Sequence, residues 1–223
     1  MLSTLRAIWQ ADGAFPSGAF AFSYGLEGAI ALRRDLTARD LEQLVMTILR
    51  QRWATYDRIA LLRSFRAKGG IAAIAAIDRD VEASTLVEAL RTGSRRNGAS
   101  FLASHASLGD ELARLLRDAI RRGDCLGHIV VMQGAVWSAV GLTEQLAQLT
   151  SGYAVASGLI AVAVRLSAIG ALQGQAVLKA CLPLIEELAA RAIPEGTEME
   201  SFMPFLDIAS ARHTQADLRL FAN

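Results

Sequence analysis

Three kinds of side chain in this sequence could carry chemistry: three histidines, two cysteines and a serine set in a turn. His105, His128 and His213 lie far apart, and none has a metal-ligating partner three or four residues away on an expected helix. The sequence contains no HExxH, CxxC or Glu-x-x-His pair, so the histidines are expected to be structural or surface residues. Cys125 and Cys181 are separated by apolar sequence and fit buried thiols in a reducing compartment better than a disulfide. Ser17, between Pro16 and Gly18, has no base nearby in sequence to activate it. A nucleophile elbow, a phosphate-binding loop and a dinucleotide fingerprint are all absent. Arg91, Arg95 and Arg96 cluster around Gly93 and Gly98, but that glycine spacing matches no phosphate-binding pattern, and a solvated basic surface is expected. This silence favours a role in binding or assembly, with no metal or cofactor held directly.

The stretch Asp12–Glu27, DGAFPSGAFAFSYGLE, is the one around which the rest is organised. Pro16 and Gly18 suit a type I turn over Phe15–Gly18, followed by a helix. On such a helix Phe20, Tyr24 and Glu27 share one face, and Phe22, Leu26 and Ile30 another. Two faces bearing aromatics predict a helix that is either wholly buried or partly offered to something outside the monomer.

The elements that must hold this stretch are helical. Hydrophobic residues make up 52% of the 223 positions, alanine and leucine outnumber valine and isoleucine, and only four prolines occur. That composition predicts an all-α fold, a single-domain bundle of about ten helices over residues 1–223. A net charge of +1 gives the chain no reason to seek nucleic acid or an anionic membrane. The N-terminal sequence MLSTLRAIWQ lacks the features of a signal peptide, so a cytoplasmic protein is expected. Mean hydropathy is +0.31, and the runs Cys125–Thr143 and Gln145–Val164 carry no charge. Their internal polar residues and the lack of flanking basic clusters favour buried central helices over a two-span membrane protein.

In chain order, Leu2, Leu5, Ile8 and Trp9 predict a short helix packed through that apolar stripe. Thr37 and Asp40 form a capping box opening a helix with Leu41, Leu44, Val45, Ile48 and Leu49 inward, continuing as one or two helices to Gly69–Gly70. Helices broken near Gly93–Gly98 come next, then a second capping box at Ser107–Asp110 and a helix ending at Gly123. Arg165 closes the second charge-free run as a snorkelling or paired arginine. Pro183 is expected to kink a helix reaching Arg191, Pro194–Gly196 to turn, and Pro204–His213 to form a last helix. The tail, about residues 214–223, ends in Arg219, Leu220, Phe221, an apolar finish that needs a place to dock.

Five stretches together resemble the UreF family of urease accessory proteins: FPSGAFAFSYGLE (15–27), LRTGSRRNG (90–98), GHIVVMQGAVWSAVGL (127–142), RLSAIGALQGQAVL (165–178) and HTQADLRLF (213–221). The resemblance implies an all-helical homodimer that is not an enzyme. It implies a chain that bridges UreD (also called UreH) and the GTPase UreG during nickel insertion into apo-urease, with an effect on UreG's GTPase as part of that expectation. Nickel and GTP would be handled by the partners. Carried over by position, Pro16, Gly18, Phe20, Tyr24, Glu27, Arg219, Leu220 and Phe221 become the candidates for partner binding and tail docking, with Arg219 folding back onto the turn near Phe20. Three positions depart from the family's usual pattern: Phe20 where relatives often have tyrosine, Ile129 where many have proline, and Ala222 where a basic residue is usual. The competing expectation is a helical enzyme using Tyr24 or His128 as acid–base groups, which requires a polar pocket with a perturbed group near Tyr24.

Overall fold

The computed structural model describes residues 1–18, 22–33, 35–213 and 221, and every regular element among them is a helix. The helices are α1 (Leu2–Ala11), α2 (Leu26–Leu32), α3 (Ala38–Ile48), α4 (Arg58–Arg66), α5 (Ile71–Ser84), α6 (Glu88–Ser107), α7 (Glu111–Arg122), α8 (Ile129–Ala139), α9 (Glu144–Arg165), α10 (Ala171–Ala190) and α11 (Pro204–His213). A π-helical segment, Leu49–Asp57, joins α3 to α4 without a break, so one rod runs from Ala38 to Arg66. Its start is the capping box expected from sequence: the Asp40 N–H donates to Thr37 Oγ1 at 3.2 Å and the Thr37 N–H donates to Asp40 Oδ2 at 3.0 Å.

This rod threads two apolar clusters. Leu41, Val45, Leu49 and Trp53 enter the first, with side chains of α2, α9, α10 and α11. Tyr56, Leu61, Leu62 and Phe65 enter the second, built with α6 and α8. The π segment spans the change-over between them, since its extra residue re-phases the buried stripe. Polar ends of the large aromatics are satisfied inside: Trp53 Nε1–H donates to Ser151 Oγ at 3.1 Å, and the Tyr56 hydroxyl donates to the Val81 carbonyl at 2.9 Å. Helices α8 and α9, the charge-poor runs, are core helices. Helix α9 is long and apolar enough to cross a membrane, yet 61% of its most apolar window is buried against the rest of the chain.

Four sequence expectations change. The apolar stripe of α1 faces outward, because the helix is anchored through its other face: Gln10 is buried and its Oε1 accepts from Trp137 Nε1–H at 2.8 Å. Helix α6 runs unbroken through Gly93 and Gly98. These glycines serve close approach, since a Cβ on Gly93 would lie 2.1 Å from the Phe22 ring and one on Gly98 would lie 1.9 Å from the Gly127 carbonyl oxygen. The α7 cap is Asp110 alone, accepting from the Ala113 N–H at 3.2 Å, while the Ser107 hydroxyl donates backward to the Ala103 carbonyl at 2.9 Å inside α6. Two of the three arginines of 91–96 are drawn into ion pairs, Arg95 with Glu82 at 2.8 Å and Arg91 with Glu88 and, at 3.5 Å, with Glu82, while Arg96 is exposed as expected.

The turn into α8 hangs on one carboxylate. Asp78, fully buried on α5, accepts the N–H groups of Leu126, Gly127 and His128 at 2.6, 2.7 and 2.9 Å. Asp78→Ala orphans three amides at about 1 kcal/mol or more each, so it is expected to cost roughly 3 kcal/mol or more in urea unfolding. Gly98→Ala is expected to cost about 1–3 kcal/mol by overpacking. Gly158→Ala, on α9 with no atom within 4 Å of the added methyl, should instead stabilise by about 0.5–1 kcal/mol.

Candidate docking surface

The organising stretch folds against α6, but not as the expected turn and helix. A four-residue hydrogen-bonded turn forms over Asp12–Phe15, three residues earlier, where the Phe15 N–H donates to the Asp12 carbonyl at 3.0 Å and the Ala14 N–H to Asp12 Oδ1 at 2.9 Å. Around Pro16 the chain makes a tighter turn in which the Ser17 N–H donates to the Phe15 carbonyl at 2.7 Å. The two turns follow one another, the first capped by the Asp12 side chain and the second centred on Pro16. Pro16 follows, its carbonyl accepting from Ser104 Oγ at 2.7 Å, and Gly18 adopts φ +81° against Ser100 of α6. Tyr24 (φ +54°) and Gly25 (φ +81°) are both left-handed, so helix α2 begins only at Leu26. The helical face shared by Phe20, Tyr24 and Glu27 therefore does not form, and neither does the second, because Phe22 also precedes α2. Phe22 instead fills the slot over Gly93, edge-on to Tyr24 with ring centroids 4.6 Å apart. Glu27 is buried in the first turn of α2.

Of the tail residues, Phe221 is buried in the first apolar cluster, and its ring lies 4.3 Å under the Arg165 guanidinium. Arg165, expected to be snorkelling or paired, thus holds the tail's aromatic at the C-terminal end of α9. Phe20, Arg219, Leu220 and the side chain of His213 lie outside the described residues.

A strap leads to this tail, and sequence reasoning missed it. Residues 191–203 run along the α3–α4 rod, gripped mostly through main-chain atoms. Arg58 donates to the Arg191 carbonyl (2.9 Å), Arg66 to Ile193 (3.0 Å) and Arg63 to Thr197 (2.6 Å). Further on, the N–H groups of Glu200 and Phe202 donate to the carbonyls of Thr55 (2.9 Å) and Gln51 (3.4 Å), both in the π segment. The strap delivers α11 to α2, beside the organising loop. No side-chain periodicity marks such a strap, which is why only its Pro194–Gly196 turn is legible in the sequence.

Between α11, the π segment and the loop lies a cavity of about 90 Å³, lined by Tyr24, Arg52, Asp57, Ser94, Gln133 and Asp207 among apolar residues. Arg52 meets Asp57 at 3.2 Å and lies 4.3 Å over the Tyr56 ring. Burial pushes the Tyr24 phenol up to about 12, with the Asp57 charge adding to it. Burial also raises the Asp57 and Asp207 carboxyls above their ordinary range, more than the Arg52 guanidinium pulls them down. This is the perturbed polar pocket that an enzyme would need. At neutral pH Tyr24 stays protonated and can donate a hydrogen bond, and the acid–base groups beside it in the lining are the Asp57 and Asp207 carboxylates.

His128 is fully enclosed. Its Nε2 lies 2.7 Å from Glu82 and its Nδ1 3.1 Å from Ser94 Oγ, and that same hydroxyl accepts the Ile129 N–H at 3.3 Å. Burial lowers the His128 value, despite the nearby Asp78 and Glu82 carboxylates, so the ring is neutral and structural. Cys125 and Cys181 are free and buried, each pushed up to about 11 by desolvation, and so hold unreactive thiols. Among the described residues no cluster of three or more His, Cys, Asp or Glu side chains could hold a metal ion.

The family model for UreF matches residues 36–182. The chain is similar to the urease accessory protein UreF of Trichodesmium erythraeum, 32% identical over 100% of this chain and 98% of that protein. It is similar to the urease accessory protein UreF 1 of Brucella melitensis, 32% identical over 98% of this chain and 92% of that one. A third relative, the urease accessory protein UreF of Cereibacter sphaeroides, is 34% identical over 93% and 92% of the two chains.

The raised Asp207 value sets a pH signature. The unfolded chain loses this proton first, so the native fold bears a penalty that is absent below the ordinary value of about 3.9 and grows as pH rises through the folded value. Asp207→Asn is expected to raise the melting temperature at pH 7 and to leave it unchanged below about pH 4.

Proposed function

The chain belongs to the UreF family of urease accessory proteins, and from that premise we propose that it is a non-catalytic scaffold for nickel insertion. In this role it bridges UreD (UreH) and the GTPase UreG, so that nickel carried by UreG reaches apo-urease. It works in the cytoplasm as a homodimer, without holding nickel or GTP itself, and modulates UreG's GTPase through contact alone. The observation that carries this reading is an inversion of roles among side chains. Those that could react, His105, His128, Cys125 and Cys181, are walled in, while those that could grip another protein, Phe202, Phe205 and Ile208 around α11, stand exposed. Helix α11 packs on α2, and its Leu206 and Ala209 share the first cluster with Phe221, a neighbourhood that supports the reading of tail and loop as one docking face.

Co-expression with UreD and UreG tests the bridge directly: affinity capture of this chain should bring down both, and the captured complex should lose UreG, not fold, when residues 219–221 are deleted. Losing the buried Phe221 ring costs about 1.5–3 kcal/mol, so circular dichroism should stay helical with a lowered melting temperature. Undiminished UreG recruitment by the truncated chain would refute the role of the tail. Size-exclusion chromatography should show the chain alone as a dimer or aggregate, and better behaved when UreD is present.

A further inference from the structure

We propose that the outward face of α1, together with the corner where α6 meets α7, is a second docking surface, and that its occupant is an amphipathic helix of a partner protein with basic flanks. The proposal deepens the scaffold reading and rests on it only in taking the occupant to be a protein. Leu5, Ile8 and Leu108 are 62%, 63% and 63% exposed, and Trp9 is 41% exposed, on a chain whose other two tryptophans are at most 1% exposed. Trp9 and Leu108 form a ridge between two open hollows of about 440 and 370 Å³. Phe15 and Pro16 of the organising stretch wall one hollow, and the α6–α7 turn walls the other.

The base beneath the ridge is rigid. Gln10, the neighbour of Trp9, is tied to Trp137 at 2.8 Å and to His105 Nε2 at 3.2 Å, while His105 faces Asp110 at 3.5 Å. A ridge with hollows on either side, on a fixed base, suits the apolar stripe of a helix laid across it.

Charge selects the occupant. The hollows are lined by Asp12, Asp110 and Glu111 and by no lysine or arginine. Glu111 does share an exposed pair with Arg114 at 3.0 Å, and Arg6, beside Gly141, borders the hollow that Ala139 and Val140 line without being part of that lining. A second copy docked by a two-fold axis would set acid against acid, and an anionic lipid surface would meet the same repulsion. Lysines or arginines flanking an apolar stripe would meet complementary charge.

Trp9 is a built-in reporter, as the buried tryptophans are shielded from acrylamide in every state. A synthetic Leu/Lys amphipathic helical peptide should shift Trp9 emission to the blue and protect it from acrylamide, with a response that weakens as salt rises. A Leu/Glu peptide of the same pattern should not. Leu5→Asp and Ile8→Asp, at exposed positions that leave the core intact, should weaken the Leu/Lys response about tenfold or more. Equal responses to both peptides, no protection by either, stronger protection by anionic vesicles, or a self-associated dimer in sedimentation that shields Trp9 would each overturn the proposal. The two readings separate in co-purification. A wild-type chain that recruits neither UreD nor UreG defeats the scaffold role, whereas recruitment unchanged by Leu5→Asp and Ile8→Asp defeats this surface alone.

Discussion

The Asp78 carboxylate is the contact on which the second half of the molecule depends. Three consecutive amides converge on it, and with them the entry to α8, the helix at the centre of the second cluster. Fixing that entry brings the Gly127 carbonyl down onto Gly98 of α6 and places His128 between Ser94 and Glu82. Burying a carboxylate is costly unless its oxygens are satisfied, and here they are met by donors that the loop could not otherwise pair. The polar groups around His128 are therefore joinery, with Glu82 also receiving Arg95.

The first half depends on the α3–α4 rod. Its π segment lies where the two clusters meet, and the same segment supplies Arg52 and Asp57 to the cavity and two main-chain carbonyls to the strap. One irregularity thus joins the cores, the charged pocket and the route to the tail. The Ser94 hydroxyl in the pocket's lining, paired with the enclosed His128, is committed to the first turn of α8. The pocket's charges tune how well α11 sits.

Much of the fold was legible because helices advertise themselves through period and caps. The Thr37–Asp40 box, the rod to the glycine pair, the Pro194–Gly196 turn and the last helix from Pro204 to His213 all follow from local chemistry. The errors came where tertiary contact overrode a local rule. Gly93 and Gly98 look like helix breakers until Phe22 and Gly127 are seen pressed against them, and the α1 stripe looks like a core face until Gln10 is seen anchoring the opposite side. At the candidate site, Pro16, Gly18, Glu27 and Phe221 were named from motif resemblance, and the expected helical face does not form, because two successive left-handed residues cannot be read from a period. Asp207 comes from α11 to the pocket that Arg52 and Asp57 of the π segment line, a proximity with no sequence signature.

The strap has a consequence for variation. Arg58, Arg63 and Arg66 hold it by its carbonyl oxygens, and the rod's own carbonyls hold it by its amides, so the grip is blind to which side chains the strap carries. Ile193 and Met199 also pack against the second cluster, so it is the exposed positions between them, such as Glu195 and Glu198, that can change freely, while the three arginines cannot. Substitution can thus retune the molecule's outer face along this segment without moving the tail it delivers.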